Sequence, residues 1–199
     1  VMRIIIGISG ASGAAYTLEV LKELKNLGHE FHAVASPYGL KMLAFECGIA
    51  SPSLRGLVHR LYRHDDLGAP IASGSFRCDG MAVVPCSMRS LAAISAGLAG
   101  DLLCRAADVM IKERKNLVLA VRETPLSPLH LENMLKLARL GVGIAPLCPG
   151  FYHKPGSIEA LPRMMAGRIL DSKGIEHSLA FRWPGLDASN PHAEGPTPP

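Results

Sequence analysis

Short apolar runs alternate with amphipathic stretches along nearly the whole chain, and that alternation narrows the possible folds more than any other feature. Strands are expected near Arg3–Ile8, Glu30–Ala35, Gly80–Pro85, Asn116–Arg122 and Gly143–Pro146. Helical patterns fall between them at Ala14–Leu27, Pro37–Cys47, Ser87–Gly97, Leu102–Lys112 and Ser127–Leu140, with a last one at Ser157–Lys173. The first helix shows the period: Leu18, Leu21, Leu24 and Leu27 recur at helical spacing, with Glu19, Lys22, Glu23 and Lys25 between them. Gly28 follows as its stop. Strand and helix in turn imply an α/β chain, a mostly parallel sheet with helices on both faces. Residues 50–75 are polar, rich in Arg and His, and read as a loop with one short helix.

At 199 residues the chain is most simply one domain, here 1–183. The tail beyond, 184–199, carries Pro184, Pro191, Pro196, Pro198 and Pro199 and is expected to be disordered. Only 19% of residues are charged and 48% are apolar, which predicts extra surface buried between subunits. A net charge of +4 without a Lys/Arg block disfavours nucleic acid as a partner. The five cysteines form no CxxC and their odd number argues against a disulfide framework, so a reducing cytoplasm fits. Val1-Met2-Arg3 leads into Ile4–Ile8, a run too short for a signal segment or a membrane span. The eight histidines show no metal-ligand spacing, so no metal is expected. Asp65-Asp66 is an isolated acidic pair, and no serine sits in Gly-x-Ser-x-Gly.

Gly7-Ile8-Ser9-Gly10-Ala11-Ser12-Gly13 joins the first strand to the first helix. Small residues there let the backbone approach a ligand, and N–H groups at a helix start favour a phosphate or other anion. The loop is not the dinucleotide fingerprint, because Ser9 takes the middle glycine's place. The second strand also ends in Ala35-Ser36, where an NAD-binding fold would offer Asp or Glu to the ribose. A tight turn alone needs fewer glycines and serines, so ligand binding is expected. The run Met81 to Ser90 repeats the logic: it reads either as a plain helix capped by Ser87 or as the second wall of a cofactor site. Ser73-Gly74-Ser75 is a third such loop.

Arg122-Glu123 stands where the apolar strand Leu117–Val121 stops. A cation beyond the carboxyl end of a strand suits an anionic ligand, and the adjacent carboxylate suits proton handling. The bland alternative is a surface ion pair. Glu46, in the run Met42–Cys47, reads as a solvent-facing helix position or as a buried, tuned acid, with the first favoured. Taken singly, Tyr152 reads as core, Arg168 as a solvated helix face and Trp183 as a packing anchor.

Taken together, several segments resemble the flavin prenyltransferase (UbiX-type) family, formerly described as aromatic acid or 3-octaprenyl-4-hydroxybenzoate carboxy-lyases. They are Gly7–Gly13, Pro85-Cys86-Ser87, Arg105-Ala106-Ala107-Asp108, Lys112-Glu113-Arg114, Arg122-Glu123-Thr124-Pro125, His130-Leu131, Pro149-Gly150-Phe151-Tyr152-His153 and Arg182-Trp183. The likeness covers about residues 3–184. It departs at residues 50–70 and at Met88-Arg89, which replace small or aliphatic residues.

The resemblance implies a three-layer α/β/α, flavodoxin-like (Rossmann-like) fold and a dodecamer with its active site at a subunit junction. It implies FMN as a substrate-like cofactor, held by Gly10, Ala11, Ser12, Ser36, Ser87, Met88, Arg89, Ser90 and Arg122. Dimethylallyl phosphate would be held by Lys112, Arg122, Tyr152 and Arg168. Glu46 and Glu123 match acidic positions near the reacting atoms and Trp183 an aromatic wall; with Ser12 and Lys112 they form the implied catalytic set. The implied reaction joins a dimethylallyl group to N5 and C6 of reduced FMN, and the product serves a partner decarboxylase of the ubiquinone or aromatic-acid type. A monophosphate leaving group clamped by arginine and lysine needs no magnesium, in keeping with the absent acidic clusters. Three rivals share parts of this reading. A peptidyl-cysteine decarboxylase would need an Asn-bearing loop in place of Cys86-Ser87-Met88-Arg89 and a C-terminal Met-Asn motif. A non-catalytic FMN-binding subunit would need no second phosphate clamp, and a direct aromatic-acid decarboxylase reads as an indirect phenotype.

Overall fold

The computed structural model describes residues 1–179 together with Arg182 and Trp183; the tail expected to be disordered lies outside the described residues. Six strands form one sheet: β1 (Arg3–Ile8), β2 (Glu30–Ala35), β3 (Arg60–Tyr62), β4 (Gly80–Cys86), β5 (Asn116–Val121) and β6 (Gly143–Ile144). Every pairing is parallel and the order is β3-β2-β1-β4-β5-β6. The helices are α1 (Ala14–Asn26), α2 (Pro37–Cys47), α3 (Ser51–Leu57), α4 (Met88–Ser95), α5 (Leu102–Lys112), α6 (Pro128–Arg139) and α7 (Ala160–Asp171).

The pleat sends alternate side chains of each strand into two separate cores. Ile4, Ile6, Ala82 and Val84 pack with Leu21, Leu24 and Ile169, under α1, α2 and α7. Ile5, Met81, Val83 and Leu119 pack with Leu91, Leu103 and Leu137, under α4, α5 and α6. Two covered faces explain why the central strands are apolar at nearly every position. The buried stripe of α1 is Ala14, Thr17, Val20, Leu21 and Leu24, whereas Leu27 is its C-cap and 39% exposed. Thr17 fits inside because its Oγ1 donates to Val84 O at 2.6 Å. Gly28 is the expected stop, at φ 70°.

The five expected strands are all present, and the sixth, β3, falls in the stretch read as loop. Arg60-Leu61-Tyr62 is only three residues at an edge, where one buried residue, Tyr62, leaves no alternation to detect. The short helix expected there is α3. At the far end, Ser157–Lys173 shortens to Ala160–Asp171, and Gly143–Pro146 to Gly143–Ile144. Surplus apolar surface remains open, notably Phe45 on α2 and Leu129, Leu131 and Leu135 on α6. Among the described residues no helix is long and apolar enough to cross a membrane.

Candidate active site

Winding reverses between β1 and β4, and the loops leaving these strands open a crevice at their carboxyl ends, where an open α/β sheet takes its ligand. A cavity of about 410 Å³ lies there, lined by Gly10, Ser36, Tyr38, Ser87, Arg89 and Ser90, with His64, Asp101 and Leu103 completing the wall. Two helix starts face it. Ser36 caps α2, its Oγ accepting from Gly39 N at 3.0 Å, and Ser87 caps α4, accepting from Ser90 N at 3.3 Å. Gly10 has no room for a side chain, since a Cβ would come within 2.5 Å of Tyr38 Cβ. Arg89, His64 and Asp101 also border a neighbouring cavity of about 630 Å³. Met88 differs from its neighbours in the loop: its side chain is buried in the core, leaving only backbone for a ligand.

The glycine-rich loop departs from expectation. Ser9 is buried, and its hydroxyl donates to Pro85 O and accepts from Ser87 N, both at 2.7 Å. It therefore joins the ends of β1 and β4 rather than facing a ligand. The first amides of α1 are also engaged: Gly13 N and Ala14 N donate to Glu46 Oε2 at 2.9 and 2.7 Å, and the Ser12 side chain bonds the same carboxylate. The anion at this helix start is the protein's own. Glu46 is exposed, as the favoured reading has it, yet its carboxylate is engaged rather than free, and its pKa is not raised. Partial burial opposes its charge, but Ser12, Gly13, Ala14 and the nearby Arg122 outweigh it and hold the carboxyl below its ordinary 4.5.

Arg122 lies just past β5, beside Glu46 and Tyr16, on whose charges its field acts. Glu123 is exposed, and its Oε1 accepts from Thr124 N at 3.1 Å; it forms no ion pair with Arg122. Lys112 is elsewhere. It sits in the last turn of α5, paired with Glu113 and beside Gly74 of the Ser73-Gly74-Ser75 loop. Because α5 runs antiparallel to the strands, Lys112 precedes β5 while Arg122 follows it. The six residues of β5 that lie between them span roughly 20 Å. Within one chain, then, Lys112 and Arg122 do not reach one phosphate together, and the expected clamp needs the subunit junction that the resemblance implies.

Tyr152, Arg168 and Trp183 do come together, lining a cavity of about 520 Å³ with Arg182. The Tyr152 and Trp183 rings meet edge to face, 5.6 Å between centroids. Arg168 Nη1 lies 3.0 Å from Asp171 Oδ2, and Arg182 Nη2 lies 2.7 Å from Asp171 Oδ1. Yet Arg168 is one turn before Ser172, whose carbonyl accepts from Asn116 Nδ2 at 3.0 Å, and Asn116 opens β5. This cluster therefore sits toward the amino end of the sheet, and sharing of one phosphate by Arg122 and Arg168 is likewise not met within a chain. Buried Lys173 fastens the same corner, donating to Asn116 O at 2.7 Å and Oδ1 at 2.8 Å; burial pushes its amine down to about 7.

The sequence motifs do not point to Tyr38, His64, Asp101 and Leu103 in the first cavity, nor to Asp171 beside the second, and they offer Arg182 only as part of the Arg182-Trp183 motif. Asp101 was findable, as an N-cap preceding Leu102; its side chain accepts from Cys104 N at 2.8 Å. His64 follows the overlooked β3. His130, one of the motif residues, caps α6 by exchanging hydrogen bonds with Ser127 and has no place in either cavity.

Residues 1–167 match the model of the Flavoprotein family. The chain is 46% identical over 186 residues to a probable UbiX-like flavin prenyltransferase of Bacillus subtilis, covering 94% of this chain and 91% of that one. A crystal structure of AnUbiX (PadA1) in complex with FMN and dimethylallyl pyrophosphate superposes with a TM-score of 0.91 at 45% identity, over 94% of this chain and 99% of the other. A dodecameric FMN-dependent UbiX-like decarboxylase from Escherichia coli O157:H7 gives 0.90 at 42% identity, over 92% and 100%. Fold, strand-end cavity and near-full-length identity converge: the chain belongs to the flavoproteins and, among them, to the UbiX-like flavin prenyltransferases.

Proposed function

We propose that the protein joins the dimethylallyl group of dimethylallyl phosphate to N5 and C6 of reduced FMN, supplying prenylated FMN to a decarboxylase of the ubiquinone or aromatic-acid type. The observation that carries this reading is that the chain holds two separate anion-suited clusters, one at each end of the sheet. Two phosphorylated ligands, not one, match them. Their meeting requires other copies of the chain.

The first cavity fits FMN. Ser36, Ser87, Ser90 and Arg89 offer hydroxyl, helix-start and guanidinium donors for its phosphate, while Asp101 suits the hydroxyls of its sugar-alcohol chain. Gly10, Ala11, Ser12 and Arg122 carry the ring toward the ends of β1 and β5, and Met88 contributes backbone. Bound reduced flavin supplies the nucleophilic nitrogen and carbon. Tyr152 and Arg168, joined by Lys112 from another copy, hold the donor phosphate and stabilise its charge as the C–O bond breaks. The Trp183 face shields the developing allyl cation. Of the two carboxylates, Glu46 is engaged by the start of α1 and held below its ordinary pKa, which makes it a weak base. Glu123, bonded only to the Thr124 amide among the described residues, takes the proton released at C6.

The assembly is a homo-oligomer, a dodecamer like its Escherichia coli neighbour, and the exposed leucines of α6 with Phe45 supply surface for it. All five cysteines are free, in keeping with a cytoplasmic setting. The test is incubation with reduced FMN and dimethylallyl phosphate, followed by mass spectrometry. A flavin heavier by one five-carbon unit is expected; unchanged flavin would refute the reading.

A further inference from the structure

Asp171 closes α7 and has three partners on two oxygens. Oδ2 accepts from Arg168 Nη1 at 3.0 Å; Oδ1 accepts from Arg182 Nη2 at 2.7 Å and lies 3.1 Å from His177 Nε2. The His177 side chain is fully buried, and its Nδ1 accepts from the Leu179 amide at 3.0 Å. A ring nitrogen that accepts cannot carry the proton, so Nε2 does, and it donates to Asp171. His177 is thereby fixed as a neutral donor that sets the plane of the carboxylate.

The carboxylate in turn bridges two guanidinium groups that would otherwise repel each other. Arg168 meets Asp171 through Nη1 and Arg182 through Nη2, and each guanidinium carries further N–H donors. Both line the cavity with Tyr152 and Trp183. Partial burial works against the charge of Asp171, but Arg182 and His177 hold its carboxyl below the ordinary range, so the bridge persists at neutral pH. Neither Arg182 nor Asp171 belongs to the set expected from the sequence.

We propose that Arg182 is a second arm of the donor-phosphate clamp and that Asp171, aimed by His177, is the positioning residue that holds Arg168 and Arg182 as one unit. The proposal rests on the reading of this cavity as the prenyl-donor site. A phosphate dianion meets two guanidinium groups already set at a fixed spacing, and their ordering does not have to accompany binding.

The test uses the full-length, FMN-loaded oligomer with oxidised flavin, so that binding is measured without turnover. Titrations of dimethylallyl phosphate and of inorganic phosphate are followed by calorimetry for wild type, Arg182→Gln and Asp171→Asn, with FMN affinity as the control. Arg182→Gln, at an exposed side chain, is expected to weaken dimethylallyl phosphate by about tenfold or more and to leave FMN affinity unchanged. Asp171→Asn is expected to weaken it as well, although it makes the cavity more positive. A carboxylate that merely diluted the positive field would give the opposite result, tighter binding of both probes, and that outcome overturns the positioning role. Wild-type affinity in Arg182→Gln overturns the clamp, and this variant decides should Asp171→Asn fail to fold. Failure of wild type to prenylate reduced FMN would remove the reading beneath the proposal; normal wild-type prenylation with unaffected variants would remove the proposal alone.

Discussion

The two ends of the sheet offer an anion different kinds of group. At the carboxyl end these are mainly backbone: helix starts capped by Ser36 and Ser87 and a glycine with no room for a Cβ, on strands that Ser9 ties together. At the amino end they are long side chains, Arg168 and Arg182, exposed and arranged around one carboxylate. Backbone sites are shaped by the fold and fail when the fold is disturbed. Side-chain sites fail one charge at a time and leave the fold alone.

The harshest way to break this contrast is Gly39→Ala. A Cβ there would lie 2.5 Å from Ile8 O, a backbone atom that cannot step aside without moving β1 or α2. Overpacking of this kind costs about 1–3 kcal/mol. Thermal unfolding should show the loss, and flavin titration should show FMN affinity reduced by about a hundredfold (about 2.7 kcal/mol). Next in size is Arg168→Ala. Prenyl transfer should fall by about tenfold to a hundredfold, while FMN affinity stays within error and stability changes by less than about 0.5 kcal/mol. A large drop in melting temperature would show that this end, too, is built into the fold.

The ends also differ in how they respond to pH. Lys173 is neutral above about 7 in the folded chain and takes up a proton below 10.5 when unfolded. The unfolded state therefore binds more protons in that window, and stability rises with pH from about 7 toward 10.5. Lys173→Met should remove that rise, as read by denaturant melts at several pH values. Glu46 has the reverse sign of dependence. Its lowered pKa contributes stability above 4.5 that is lost as pH falls through the folded value. Glu46→Gln should cost about 1 kcal/mol at neutral pH, as for a lost helix cap, and flatten the acid limb of the stability curve.

The contrast between the ends also explains what could be read in advance. Strands and caps are local patterns, so β1, β2, β4, β5, β6, α2, α5 and the Ser87 cap are legible residue by residue. β3 is not, because its three edge residues carry no period and lie in a polar stretch rich in Arg and His. Glu46 is exposed as expected, but its engagement by Gly13 and Ala14 is not legible, because they lie more than thirty positions away and only folding brings them within reach. Asp171 carries no signal, because an acid at a helix end looks like ordinary surface until Arg168 and Arg182 converge on it, and Arg182 stands only within the Arg182-Trp183 motif with no role attached. The sequence puts Lys112 on the correct helix, but not that, within one chain, this helix ends at the opposite end of the sheet from Arg122.

A strand of six residues separates Arg122 from Lys112, and that separation has a genetic consequence. If each working centre takes its carboxyl end from one chain and its amino end from another, then no chain owns the centre it helps to form. Arg122→Ala chains and Arg168→Ala chains, each nearly inactive when expressed separately, would rescue one another when co-assembled. In a random one-to-one mixture about a quarter of the sites would draw both intact ends. The same division means that a defective copy does not only lose its own activity; it passes the defect to a neighbour.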